Sequence, residues 1–275
     1  TSSPGFNVDV KIAGMLKDAN PKLQVCFVGP PVTIEPDKVL NSTPAIDFVV
    51  RREFDYQIAN YAKGTPLEEL PGVSFRKNGV NVHNPEGPQI ENLDEMPWVT
   101  KVYKRDLDFT RYNVPFLLHP FLSFYTSRGC PAQCTYCLWP QTHSGHRWRL
   151  RSTQDVVNEV KYVLENFPGL KEIFFDDDTF TDNRPRAEEI ARGLGKLGVT
   201  WSCNAKANVP YETLKVLREI DLFDLRNFRL STASSGTYRN YTDDTAGLDL
   251  TVKRSLSLFQ VPVTLQGGGL LGIQD

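Results

Sequence analysis

The sequence has almost no surplus of charge: Lys and Arg number 31 against 33 Asp and Glu, a formal net charge of −2. Without a basic excess there is no electrostatic footprint for nucleic acid, and that class of partner is set aside. Long apolar runs are also missing. The most apolar passage, "VPFLLHPFLSFY" over 114–125, is too short to span a bilayer and is broken by His119 and Pro120. It reads as buried core or as the wall of a substrate site, and no transmembrane segment is expected. The opening "TSSPGFNVDV" has no basic lead followed by an apolar core, so no secretory leader is expected there. Cysteine is scarce and odd in number, with five in all and three of them within eight positions. A disulfide-stapled secreted domain would show an even set spread along the chain, so the cysteine usage points to a reducing, cytoplasmic compartment.

What is present is ordinary globular material. Apolar residues at 40% and charged residues at 23% allow a real core to be buried. Val8, Ile12, Met15, Leu16 and Ala19 fall on one helical stripe. "LQVCFVG" (23–29) reads as a buried strand stopped by Pro30 and Pro31, and "IDFVV" (46–50) as a second. A helix follows over 54–62. "VSFRKNGVNV" (73–82) is a hairpin, because Asn78-Gly79 supplies the left-handed residues of a tight turn. The alternation before the hairpin predicts part of a parallel, doubly wound α/β sheet. From about residue 84 to 122 periodicity fades and proline is frequent, which is linker behaviour.

Beyond that, Ser152 and Asp155 form a capping-box-like start to a helix whose Val156, Val160, Val163, Leu164 and Phe167 share a face. "KEIFFDDD" (171–178) is a strand running into an acidic tip. Ile190, Leu194 and Leu197 mark a second helix closed by Gly198, "VTWSCNAKAN" (199–208) is the next strand and its exit, and a third helix runs from Tyr211 to about Ile220. Repeated strand–helix order predicts a (β/α) barrel or part of one, with its chemistry at the strand C-termini.

The cysteines sit in "SRGCPAQCTYC" (127–137). Three thiolates can hold three irons of a 4Fe–4S cluster and leave the fourth open to an outside ligand. Gly129 lets the backbone approach closely and Pro131 stiffens the turn. Tyr136 offers a flat surface suited to an adenine. A zinc knot is the second reading, with His143 or His146 completing a Cys₃His set. The spacing, the aromatic before the last cysteine and the strand–helix context favour the cluster. Cys26 and Cys203, inside predicted strands, read as small buried residues. "HSGHRWRLRS" (143–152) either steadies a negative group or carries solvated charges on the approach to a helix.

"CPAQCTYC" resembles the signature of radical S-adenosylmethionine (SAM) enzymes. The resemblance implies Cys130, Cys134 and Cys137 as cluster ligands, with the open iron chelated by S-adenosylmethionine. One electron from the cluster then breaks the sulfonium bond and releases a 5′-deoxyadenosyl radical. It also implies Asp176, Asp177 and Asp178 near the methionyl ammonium and Lys206 facing the methionyl carboxylate. "FVGPPVTIEP", "IDFVVRREFD" and "IENLDEMPW" resemble the second half of a cobalamin-binding domain and its exit.

The resulting expectation is an α/β chain. Residues 1–84 form a partial Rossmann-like cobalamin-binding domain, 85–122 a linker, and 123–275 a partial (β/α) radical SAM barrel whose residues 222–275 are atypical. The block "SFYTSRGCPAQCTYCLWPQTHSGHRWRLRS…FFDDDTFTDN" is most similar to hopanoid-biosynthesis proteins of HpnJ type. That resemblance implies ring contraction on a lipid-linked bacteriohopanepolyol, a low-potential electron donor such as flavodoxin or ferredoxin, and a place at the inner membrane face. The alternatives are a cobalamin-dependent radical SAM methyltransferase and an inactive iron–sulfur or zinc fragment. The Ser/Thr-rich tail departs from the family pattern and reads as an out-of-frame continuation, the chain being a fragment at both ends.

Overall fold

The computed structural model describes residues 1–206, 208–219, 230–231, 248–252 and 263–267. They divide into two α/β units, one of Thr1–Glu91 with Gly129–Trp148, the other of Asn92–Arg128 with Arg149–Asp275. No helix among the described residues is long and apolar enough to cross a membrane.

The first unit runs α1 (Phe6–Ala19), β1 (Cys26–Val28), α2 (Pro30–Ile34), α3 (Pro36–Ser42), β2 (Phe48–Val50), α4 (Asp55–Ala62), β3 (Val73–Lys77) and β4 (Val80–His83). The strands form one sheet in the order β1-β2-β3-β4. β1 and β2 are parallel, with Cys26 opposite Phe48, whereas β3 lies antiparallel to β2, with Phe75 opposite Phe48. The expected parallel sheet therefore becomes mixed at β3. Asn78 and Gly79, at φ 53 and 80, then close a tight turn that returns β4 antiparallel to β3, with Phe75 opposite Val82.

Alternation places the three residues of β2 on two faces. Val49 joins Ala13, Phe27, Val32, Val39, Leu40 and Ile46 on one side. Phe48 and Val50 join Leu70, Val73 and Phe75 on the other. A strand covered on both faces must be apolar throughout, which is why "FVV" shows no period. The Asp47 carboxylate accepts from the Val25 amide at 2.6 Å and from Lys17 at 2.9 Å, tying α1 to the sheet. α1 turns Phe6, Val10 and Ala13 toward the core. The stripe of Val8, Ile12, Met15 and Leu16 stays exposed.

The second unit begins with α5 (Val99–Asp106), β5 (Phe121–Phe124) and β6 (Ser127–Arg128). After α6 (Trp139–Thr142), which belongs to the first unit, it continues through β7 (Arg149–Leu150), α7 (Thr153–Asn166), β8 (Glu172–Phe175), α8 (Arg184–Gly195), β9 (Trp201–Cys203), β10 (Ala205–Lys206) and α9 (Tyr211–Glu219). β5, β8 and β9 form a parallel sheet in that order, with Phe124 opposite Phe175 and Phe175 opposite Cys203. Phe124, Phe175, Phe180 and Trp201 pack ring against ring at its centre, Phe175 stacked on Phe180, with α7, α8 and α9 around them.

α5 lies inside the proline-rich stretch that reads as a linker. Its inward contacts are mixed and so leave no clear apolar period: Tyr103 packs against the core, Thr100 donates to the buried Glu159 at 2.7 Å, and Trp98, just before it, donates to Asp155 at 2.9 Å. Farther on, β11 (Leu230–Ser231) pairs parallel with β10, and β12 (Leu248–Val252) pairs antiparallel with β13 (Val263–Gly267). The reading of residues 222–275 as an out-of-frame tail falls mostly outside the described residues.

Candidate functional site

The cysteine segment begins at a bend only glycine tolerates. Gly129 sits at φ +82, and a Cβ there would lie 2.2 Å from the Arg147 carbonyl oxygen. Cys130, Cys134 and Cys137 are half-buried, and none forms a disulfide. The Cys137 amide donates to the Cys134 carbonyl at 3.1 Å, a tight turn that keeps the last two thiols close along the chain. Tyr136, Leu138 and Trp139 stand exposed beside them. The His143 ring lies tilted against Phe54 with centroids 6.1 Å apart, the Ser144 carbonyl accepts from Gln89 at 2.6 Å, and Arg147 forms a two-armed ion pair with Glu91. Arg147, in the basic stretch, is thus paired with a carboxylate.

In the other unit, the sequence-predicted acidic residues lie where the parallel strands end. The row of Phe124, Phe175 and Cys203 is followed at once by Tyr125, Asp176 and Asn204. Asn204 donates to one Asp176 oxygen at 3.0 Å, and Tyr125 approaches the other at 3.4 Å. The Tyr125 phenol is exposed yet pushed up to about 12, first by the protein volume around it and then by Asp176 and Asp178. Asp178 is exposed. Its carboxyl is nonetheless raised to about 6, first by the protein volume around it and then by Asp177 and Asp176. Lys206, at the exit of β9, is ion-paired with Asp182.

Asp177 differs from its neighbours. It is fully buried and accepts from the Thr126 amide at 3.0 Å, the Thr126 hydroxyl at 2.9 Å and the Ser127 hydroxyl at 2.5 Å. Burial raises its pKa, while Ser127, Arg186 and Thr126 oppose the rise. Of the sequence-predicted residues, Asp176, Asp177, Asp178 and Lys206 lie in the second unit, and the three cysteines with Tyr136 lie in the first. Tyr125, Asn204 and Arg186 were not predicted. The first two were accessible from the rule that sites lie at strand C-termini, whereas Arg186 looks like any charged helix residue in the sequence.

The donor set can be tested against the cluster. Among the described residues, no three His, Cys, Asp or Glu side chains converge as they would around one metal ion. A cubane makes a different demand, because each thiolate binds its own iron and the sulfurs stay apart. Three reduced, half-buried thiols on one glycine-hinged loop fit that demand. The other two cysteines do not compete as thiolates: burial pushes Cys26 up to about 12 and raises Cys203 further.

Residues 124–245 match the Radical SAM superfamily. An uncharacterized methyltransferase of Pyrococcus horikoshii is 33% identical over 216 residues, 76% of this chain and 45% of the relative. The cytidylyl-2-hydroxyethylphosphonate methyltransferase of Streptomyces wedmorensis is 30% identical over 186 residues, 62% of this chain and 31% of the relative. The chain thus spans less than half the length of these relatives. Among solved structures, the radical S-adenosylmethionine methyltransferase TsrM from Kitasatospora setae, with cobalamin and a [4Fe-4S] cluster bound, aligns at a TM-score of 0.58 and 13% identity over 78% of this chain and 43% of that one. At that identity the likeness is one of fold.

Proposed function

We propose that the chain is the cluster-bearing part of a cobalamin-dependent radical SAM methyltransferase. The observation that carries the reading is the loop of three reduced thiols behind Gly129, in a chain whose relatives in Pyrococcus horikoshii and Streptomyces wedmorensis are named as methyltransferases. Cys130, Cys134 and Cys137 would hold three corners of a 4Fe–4S cluster, and Tyr136 would lie against the adenine. Bound there, the cluster would supply the electron that splits S-adenosylmethionine, and cobalamin would carry the methyl group.

The remaining work falls to the strand ends. Asp176 and Asp178 offer carboxylate oxygens to the methionyl ammonium, and Asp177 holds the backbone beside them. Lys206 can face the methionyl carboxylate while sharing its charge with Asp182. The sequence block around the cysteines supports a lipid-linked hopanoid polyol as substrate, which would bring the protein to a membrane face. A low-potential flavodoxin or ferredoxin would deliver the electron. Ring contraction of the polyol, the reaction implied by the HpnJ-type block, is the second reading.

Anaerobic reconstitution tests the cluster: about four irons per chain are expected, together with cleavage of S-adenosylmethionine. Cys134→Ala should lose both, and a variant that keeps either would remove Cys134 from the ligand set. With methyl-labelled S-adenosylmethionine, methyl transfer adds the labelled carbon to the product. Ring contraction leaves the mass unchanged apart from hydrogen.

A further inference from the structure

Asp177 sits in the acidic triplet that the sequence assigns to the cofactor, yet its carboxylate is fully buried and faces inward. One oxygen takes the Thr126 amide and the Ser127 hydroxyl, and the other takes the Thr126 hydroxyl. Thr126 and Ser127 lead directly into Gly129 and Cys130. Arg186, on α8, is also buried. Its Nη2 donates to the Thr126 carbonyl at 2.8 Å and its Nε to the Arg151 carbonyl at 3.0 Å. One side chain therefore grips the strand that enters the cysteine segment and the strand that leaves it.

The grip has a second layer. β6 and β7 pair antiparallel, Ser127 opposite Leu150 and Arg128 opposite Arg149, and the Arg151 amide donates to the Thr126 carbonyl at 3.0 Å. Arg151 Nη1 holds the Tyr125 carbonyl at 3.0 Å, while its other nitrogens pair with Asp155 and the buried Glu159 at 2.6 Å. A two-rung ladder is too short to hold its own register. Buried charged hydrogen bonds to both stems supply what the ladder lacks, and breaking one leaves an uncompensated charge behind.

We infer that Asp177 and Arg186 are positioning residues that fix the two stems of the cysteine segment, and that Asp177 does not touch the cofactor. The inference rests on the reading of the three cysteines as cluster ligands. Asp176, whose oxygens face Asn204 and Tyr125 instead, is the control.

The test compares wild type, Asp177→Asn, Arg186→Lys and Asp176→Asn. In apo-protein, hydrogen exchange of residues 126–128 and 149–151 should quicken about tenfold or more in Asp177→Asn and stay unchanged in Asp176→Asn. After anaerobic reconstitution, Asp177→Asn should take up less than half the wild-type iron. The chains that do load should keep the change in the reduced cluster's electron paramagnetic resonance spectrum on adding S-adenosylmethionine. Arg186→Lys retains one donor and should fall between, which keeps the test decisive if Asp177→Asn fails to fold by circular dichroism. Wild-type exchange and wild-type iron in both stem variants would overturn the inference. So would normal iron loading with loss of the spectral change in Asp177→Asn, because Asp177 would then contact the cofactor. A wild type that takes up no iron would sink the cluster reading alone, and the exchange comparison would still decide whether the stems are held as described.

Discussion

Asp178 is the residue whose chemistry is most exposed to pH. Its carboxyl is raised to about 6, so between its ordinary value and that point the folded chain holds a proton the unfolded chain has already released. Fewer protons are bound in the unfolded state there, and stability falls as pH rises through the window. Asp178→Asn removes the falling limb: its unfolding midpoint should exceed that of wild type at pH 7, and the two should converge near pH 4. Binding has the opposite sense. A carboxylate that accepts from an ammonium must be ionised, so wild-type affinity for S-adenosylmethionine should weaken below about pH 6, while Asp178→Asn binds more weakly and without that dependence. Calorimetric titration across pH 5–8 checks this, and a pH-independent wild type would remove Asp178 from the ammonium site.

Among the elements, α7 and α8 pack closely at Gly193. A Cβ on Gly193 would come within 2.6 Å of Val157 Cγ2, and valine has little rotamer freedom in a helix with which to yield. Gly193→Ala gains about 1 kcal/mol in helix propensity and loses about 1–3 kcal/mol to overpacking, so the variant should be less stable by about 1 kcal/mol. Adding Val157→Ala should relieve the clash, with a favourable coupling of about 1–2 kcal/mol in a double-mutant cycle from denaturant melts; additive losses would refute the seam. Elements with apolar faces were readable in the sequence: α7 and α8 bury Val156, Val160, Val163, Ile190 and Leu194 on period, and the Ser152 hydroxyl caps Asp155 at 3.2 Å. α5 was not, because Thr100 and Trp98 dock through hydrogen bonds. In the site, the cysteine spacing was legible because a cluster needs its ligands on one short segment. The different tasks of Asp176, Asp177 and Asp178 were not, since three identical neighbours in a row acquire different roles only once the strand end turns one of them inward.

At the scale of the whole molecule, charge and exposed apolar surface act together. The chain carries a formal charge of −2 and a pI of about 6.1, so near that pH little repulsion keeps copies apart. The stripe of Val8, Ile12, Met15 and Leu16 on α1 is exposed, a contiguous apolar face of the kind that drives association when charge is low. Light scattering of dilute protein should therefore peak near pH 6 and decline toward pH 8. Ile12→Lys with Met15→Lys should suppress the peak and shift what remains upward in pH. Because neither side chain is in the core, the double variant should keep its thermal midpoint within the range of surface substitutions, about 0.5 kcal/mol in stability. A large loss of stability would mean that the stripe is packed in solution, and an unchanged scattering peak would move the cause of association away from α1.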